Sequence, residues 1–223
     1  MKDYKTIWND LSEDSAEAAF YVCCVQDETE ISNNGKIAAK YLVDTINIRP
    51  TDRVLEIGCG IARIGKELAP SCREWHGADI SGNMVRYARE RTALLPNVFL
   101  HELPDSSLRI FADASFDHVY CVVVFMHLDK LDVFRYICEA YRVLKPGGIA
   151  YFDTYNLLSP NGWHEFRSLL DSYPVGVERP AHISQFSTPQ EIRKFMDEAG
   201  FEGVHIIDDD PTLVAAIGHR GSA

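Results

Sequence analysis

The chain has 223 residues, 46% of them hydrophobic and 25% charged, with 22 basic against 33 acidic side chains and a net charge of −11. That balance excludes a disordered chain, and a chain this long buries roughly 70–75% of its unfolded surface, enough for one sizeable core. A net negative chain is a poor fit to nucleic-acid phosphates or anionic membranes, and no run of Lys and Arg relieves it.

No stretch of roughly 18 apolar residues occurs, so no membrane span is expected. The N-terminus leads into the acidic Ser12-Glu13-Asp14 and not into an apolar signal segment. The six cysteines, Cys23, Cys24, Cys59, Cys72, Cys121 and Cys138, form no CxxC pair and no disulfide spacing. The expectation is a soluble, reduced, cytoplasmic protein forming a single domain over residues 1–223.

Residues 1–34 precede the core pattern and are expected to form an N-terminal lid or helical segment, with Trp8, Phe20 and Tyr21 as its covering side chains. From Lys36 to Asn47 the apolar positions fall at helical spacing, and Pro50-Thr51-Asp52 ends that helix. Arg53 to Ile57 is expected to be a buried strand, and Gly58-Cys59-Gly60 turns it into a helix ending near Ala69-Pro70. Glu74 to Asp79 is a second strand, Gly82 to Thr92 a helix, and Val98 to His101 a third strand. Phe116 to Val124 is almost wholly apolar, as expected of a central strand covered on both faces.

A helix carrying Val133, Ile137, Ala140 and Leu144 is expected to end at Pro146-Gly147-Gly148, and Ile149 to Thr154 to be the fifth strand. Residues 155–187, punctuated by Pro160, Pro174 and Pro180, are expected to be an irregular, substrate-covering insertion. Thr188-Pro189-Gln190-Glu191 is a capping box that opens a helix closed by Gly200. Val204 to Ile207 and Leu213 to Ile217 are expected to close the sheet as an antiparallel pair. The alternation predicts an α/β fold with a mainly parallel sheet.

The informative stretch is Val54-Leu55-Glu56-Ile57-Gly58-Cys59-Gly60-Ile61-Ala62-Arg63-Ile64-Gly65. A strand entering Gly-x-Gly at a helix start lets a ligand approach the backbone. The dinucleotide fingerprint requires a small third residue where Arg63 stands. Here the third small position is Gly65, and an acidic residue precedes the first glycine by two places. This pattern resembles motif I of the class I S-adenosylmethionine-dependent methyltransferases. Asp79, then Ile80-Ser81-Gly82-Asn83-Met84 with Ala88, Ser115-Phe116-Asp117-His118-Val119, and Arg142-Val143-Leu144-Lys145-Pro146-Gly147-Gly148 are similar to further motifs of that family in the expected order.

The resemblance implies a Rossmann-like, seven-stranded, mostly parallel sheet with an antiparallel last strand and helices on both faces. It implies S-adenosylmethionine as cofactor and S-adenosylhomocysteine as product. Gly58, Cys59 and Gly60 would line the amino-acid end, with Glu56 receiving the ammonium. Arg63 would face the carboxylate or else point to solvent. Asp79 would bind the ribose, and Ile80 and Met84 would sandwich the adenine, with core packing the other reading of Met84. Cys121 or Val122 would pass beneath. Family members often carry an acidic pair after the third strand. This chain departs from that pattern, and Asp105, or alternatively Glu102, is assigned to the adenine amino group.

His127 follows the fourth strand at the end where ligands gather in open parallel sheets, so it is the candidate general base or substrate contact; capping of the next helix is the other reading. Tyr155, Asn156 and His164 are assigned to the substrate, with His182 a further candidate. Metal-dependent methylation would want an acidic ligand after the fourth strand. Val123, Val124 and Phe125 stand there, so no catalytic metal is expected. The expected activity is methyl transfer to an oxygen or nitrogen of a small molecule, with no nucleic-acid or membrane partner. The alternatives are a non-catalytic cofactor-binding partner subunit and a nicotinamide-dependent oxidoreductase.

Overall fold

Residues 3–180 and 182–222 are described by a computed structural model; Met1, Lys2, Ala181 and Ala223 lie outside the described residues. Three helices come first: α1 (Tyr4–Asp10), α2 (Ser15–Cys23) and α3 (Glu28–Thr45). Helix α3 starts eight residues before the expected Lys36, because Asp27 caps it by accepting from Glu30 N at 3.0 Å. Ser32-Asn33-Asn34-Gly35 reads as a helix breaker. Packing overrides that propensity, since a Cβ at Gly35 would collide with the Arg63 carbonyl.

The sheet follows. Strands β1 (Arg53–Ile57), β2 (Glu74–Asp79), β3 (Val98–Glu102), β4 (Phe116–Cys121), β5 (Leu144–Tyr155), β6 (Phe201–Ile207) and β7 (Leu213–Arg220) lie in the order β3-β2-β1-β4-β5-β7-β6. The pairs among β1 to β5 are parallel, and β7 runs antiparallel to both β5 and β6. The connecting helices are α4 (Gly65–Leu68), α5 (Gly82–Arg91), α6 (Lys130–Val143), α7 (Pro160–Ser172) and α8 (Pro189–Ala199). This is the expected seven-stranded, mostly parallel sheet with an antiparallel last strand.

Side chains alternate across the strands and build a core on each face. Leu55, Val119, Cys121, Ala150 and Phe152 meet Val133, Ile137 and Ala140 of α6 on one side. Val54, Trp75, Tyr120 and Tyr151 meet Ala39 and Leu42 of α3 on the other. Glu56 and Asp153 share this second face by the same alternation.

Four boundaries differ from expectation for identifiable reasons. The first helix after β1 shrinks to α4 plus a short 3₁₀ turn, because the chain makes a long turn through Ala62 (φ +58°). Strand β4 stops at Cys121, since Val123 adopts φ +61°, a conformation no strand tolerates. Pro146-Gly147-Gly148 does not end α6. It loops out of β5 between the pairs Phe116–Leu144 and His118–Ile149. The stretch expected to be irregular contains the 13-residue α7, capped by Ser159 with Pro160 in its first turn. Among the described residues no helix is long and apolar enough to cross a membrane.

Gly65 shows why motif I keeps its third small residue there. A Cβ on it would enter the ring of Trp75, which is 0% exposed. Gly65→Ala is expected to lower stability by about 1–3 kcal/mol through overpacking. Urea denaturation measures this, and a midpoint equal to that of the parent protein would contradict it.

Candidate functional site

The turn after β1 is shaped by two left-handed glycines, Gly58 at φ +69° and Gly60 at φ +50°. A Cβ at Gly58 would strike Val124, and one at Gly60 would stand 2.7 Å from Val22 Cγ2. The turn is tied to β2. Gly58 N and Cys59 N donate to Ala78 O at 2.8 and 3.1 Å, and Gly60 N donates to Asp79 Oδ2 at 2.8 Å. Asp79 Oδ1 accepts from Ser81 N at 2.9 Å, and Ser81 then caps α5.

These elements open onto a cavity of about 850 Å³, part of it open to solvent. Nine of the expected site residues line it: Glu56, Gly58, Cys59, Gly60, Arg63, Asp79, Ile80, Met84 and His127. Burial raises the pKa of Glu56 to about 8, against the hydrogen bond from Tyr120 and the nearby Arg63 charge. Tyr120 Oη donates to Glu56 at 2.7 Å while accepting from Trp75 Nε1 at 2.9 Å. Burial likewise raises Asp79 to about 6, opposed by the amides it accepts. Arg63 also lines the cavity, and its buried Nε has no hydrogen-bond partner among the described residues.

His127 enters from the turn after β4. Its Nδ1 lies 2.8 Å from the carbonyl oxygen of His182, and its ring meets Trp8 edge-on at 5.1 Å. A carbonyl only accepts, so Nδ1 carries the proton and Nε2 holds the lone pair. Burial lowers the pKa of His127 below the ordinary histidine range. The helix cap expected as its alternative role belongs to Asp129.

Several expected residues do not line the cavity. Asp105 is turned to Ser107 and Arg109, and Glu102 pairs with Lys5 at 2.6 Å; Leu103 and Ser106 line the wall there instead. Cys121 faces the α6 core by strand alternation, which leaves Val122 for the cavity. Tyr155 stacks on Phe186 with centroids 5.2 Å apart. Asn156 shapes the turn into α7 by accepting from Leu158 N and Ser159 Oγ. His164 stands on the exposed surface of α7.

The N-terminal helices complete the walls with Tyr4, Trp8, Tyr21 and Val22. Helix α1 is fastened by Asn9, which accepts from Ser81 Oγ at 2.9 Å and from Asn83 Nδ2 at 3.1 Å. Tyr4 Oη accepts from Asp129 N at 3.0 Å. Tyr4, Val22, Leu128 and Tyr136 were not among the expected site residues. Tyr136 belongs to the readable α6 stripe, whereas Tyr4 and Val22 reach the cavity only through the docking of their helices.

The family described as "Methyltransferase domain" matches residues 55–152. The methyltransferase phqN of Penicillium fellutanum is 26% identical over 204 residues, covering 88% of this chain and 60% of that protein. Phosphoethanolamine N-methyltransferase 1 of Arabidopsis thaliana is 32% identical over 128 residues, 56% of this chain and 25% of that protein. The chain thus spans from a quarter to three-fifths of these relatives' lengths. The structure of magnesium protoporphyrin IX methyltransferase from Synechocystis PCC 6803 with bound SAH has the same fold, with a TM-score of 0.70 at 16% identity, covering 98% of this chain and 100% of that one.

Proposed function

Because the chain carries a class I S-adenosylmethionine-dependent methyltransferase domain, we propose that it methylates an oxygen or nitrogen atom of a small-molecule acceptor. The observation that carries this reading is the set of charges gathered around the two-glycine turn. Glu56 and Arg63 suit the ammonium and carboxylate of an amino acid, and Asp79 suits a ribose diol. The residues fit the cofactor in one further respect: among the described residues, the buried Nε of Arg63 has no hydrogen-bond partner.

When bound, S-adenosylmethionine would supply a methyl group on a positively charged sulfur, a leaving group for an acceptor lone pair. The chain's own groups do the rest. Gly58 and Gly60 admit close approach, and Trp8, Tyr21 and Val22 exclude water. His127 Nε2 receives the proton that the acceptor loses. Holding both reactants in one cavity supplies acceleration through proximity. The N-terminal helices and the 155–187 insertion belong to the same catalytic domain in this reading. The likeness to a phosphoethanolamine N-methyltransferase and the −11 net charge support a small acceptor over a nucleic acid.

The test is calorimetric titration with S-adenosylhomocysteine, with NADH as the control expected not to bind. Free Glu56 has a pKa of about 8, and the ligand ammonium requires its ionised form. Binding at pH 7 therefore releases a proton, and affinity rises with pH up to about 8, where it levels. The slope approaches tenfold per pH unit well below that value. Absence of binding would sink the methyltransferase reading. Binding with a flat pH profile would remove only the role of Glu56.

A further inference from the structure

Trp75 and Tyr120 are sealed beside Glu56, and neither lines the cavity that Glu56 lines. Pairing of β1 with β4 sets Tyr120 opposite Glu56, and pairing of β1 with β2 sets Gly77 on its other flank. Gly77 has no side chain, so the Trp75 indole extends over it. A Cβ there would collide with the ring, as would one on Gly65 of α4. That space carries the indole N–H from β2 across β1 to the phenol on β4.

Donor chemistry sets the direction of these bonds. An indole N–H donates and never accepts, so Trp75 Nε1 gives its hydrogen to Tyr120 Oη at 2.9 Å. The phenol hydrogen goes to Glu56 Oε2 at 2.7 Å, its one acceptor among the described residues. Oε2 is thereby engaged. Oε1 has no partner among the described residues, so it is the oxygen left for a ligand. When Glu56 carries a proton, Oε1 holds it, because Oε2 already receives a hydrogen from the phenol.

Resting on the reading of Glu56 as the acceptor of the cofactor ammonium, we propose that Tyr120, anchored by Trp75, is a positioning residue that fixes Oε2 and so presents Oε1 to that ammonium. The same bond favours the ionised carboxylate, which the ammonium requires, and opposes the burial that raises Glu56 to about 8. The other titratable groups near Glu56 are Arg63 and Cys59 after β1, Asp79 on β2 and Cys121 on β4. Tyr151 and Asp153 of β5, with Tyr41 of α3 packed on Tyr151, share its face of the sheet. Burial pushes both thiols up, which keeps them neutral. Tyr120→Phe removes the hydroxyl and leaves all of these groups in place.

The experiment is calorimetric titration with S-adenosylhomocysteine at pH 7 and pH 9, using the parent protein, Tyr120→Phe, Glu56→Gln and the double variant. Tyr120→Phe is expected to bind about tenfold more weakly than the parent at pH 7, the factor that follows from a one-unit rise in the pKa of Glu56. At pH 9 the gap should close to about twofold, because Glu56 is then largely ionised with or without the hydroxyl. The ligand's own titration cancels in each ratio. In the Glu56→Gln background, where no carboxylate ionises, Tyr120→Phe is expected not to weaken binding at either pH. Trp75→Phe, which keeps the hydroxyl and removes its anchor, should show a smaller loss at pH 7 with the same closing of the gap. An equal loss from Tyr120→Phe in both backgrounds, or a loss at pH 9 as large as at pH 7 in either single aromatic variant, marks a packing role and overturns the proposal. Absence of S-adenosylhomocysteine binding to the parent protein overturns the underlying methyltransferase reading instead.

Discussion

Asp79→Ala is expected to weaken S-adenosylhomocysteine binding by about 10²–10³-fold, a loss of about 3–4 kcal/mol. Two effects add. Hydrogen bonds from a ribose diol to a buried carboxylate are each expected to contribute about 1.5–3 kcal/mol. The same carboxylate accepts from Gly60 N and Ser81 N, so its removal leaves both amides without that acceptor and loosens the glycine turn. Asp79→Asn separates the effects, because its amide oxygen keeps one acceptor while the charge is lost. Its affinity should fall between those of the parent protein and Asp79→Ala. Calorimetry at pH 7 measures all three. Equal affinity of Asp79→Ala and the parent would contradict both effects.

His127→Ala is expected to lower the methyl-transfer rate about 10²–10⁴-fold, the usual range for a lost general base. Affinity for S-adenosylhomocysteine should stay within about twofold, since the base acts on the acceptor and not on uniform binding. The pH profile provides a second readout. Only neutral His127 accepts a proton, and burial holds its pKa below the ordinary value. The rate of the parent protein should therefore rise as pH rises through that depressed pKa and then level. The variant should lose this acid limb. His164→Ala, on the exposed side of α7, should leave rate and profile unchanged. A rate loss as large in His164→Ala as in His127→Ala would refute the assignment.

What was legible in the sequence followed local rules. The β1–turn–β2 unit places Glu56, Gly58, Gly60 and Asp79 as expected, because a strand, two glycines and a strand-end carboxylate leave little conformational choice. Helix α8 starts at its expected Thr188 cap and closes at Gly200, although the Glu191 carboxylate of the expected capping box pairs with Lys130. The failures are tertiary. Asp105 looked suited to an adenine contact, but Arg109 lies one helical turn away in sequence and takes its carboxylate. Cys121 ends β4 and Val122 follows it, and that one step sends them to opposite sides of the sheet. Tyr155 and Asn156 stand at the expected end of β5, yet the 182–187 loop returns over them through the Asn156–Ser187 bridge and the Phe186 ring. Val123 carried no signal for positive φ. Its conformation depends on a hydrogen bond to Asp153, thirty residues later.

The relay from Trp75 through Tyr120 to Glu56 has an optical consequence. The Trp75 indole is sealed from water, and its N–H is hydrogen-bonded to the phenol that donates to the carboxylate. Ionising Glu56 strengthens that charge-assisted bond and changes the electric field at the indole. The other two tryptophans occupy unlike surroundings: Trp8 lies against His127, and Trp163 is 50% exposed on α7. Under the proposed function the chain holds one emitter wired to Glu56, one beside His127, and one, half-exposed and stacked on Phe166 away from the cavity, as an internal reference. Single tryptophan-to-phenylalanine variants would resolve occupancy beside Glu56 and beside His127 as separate fluorescence signals, with no added dye.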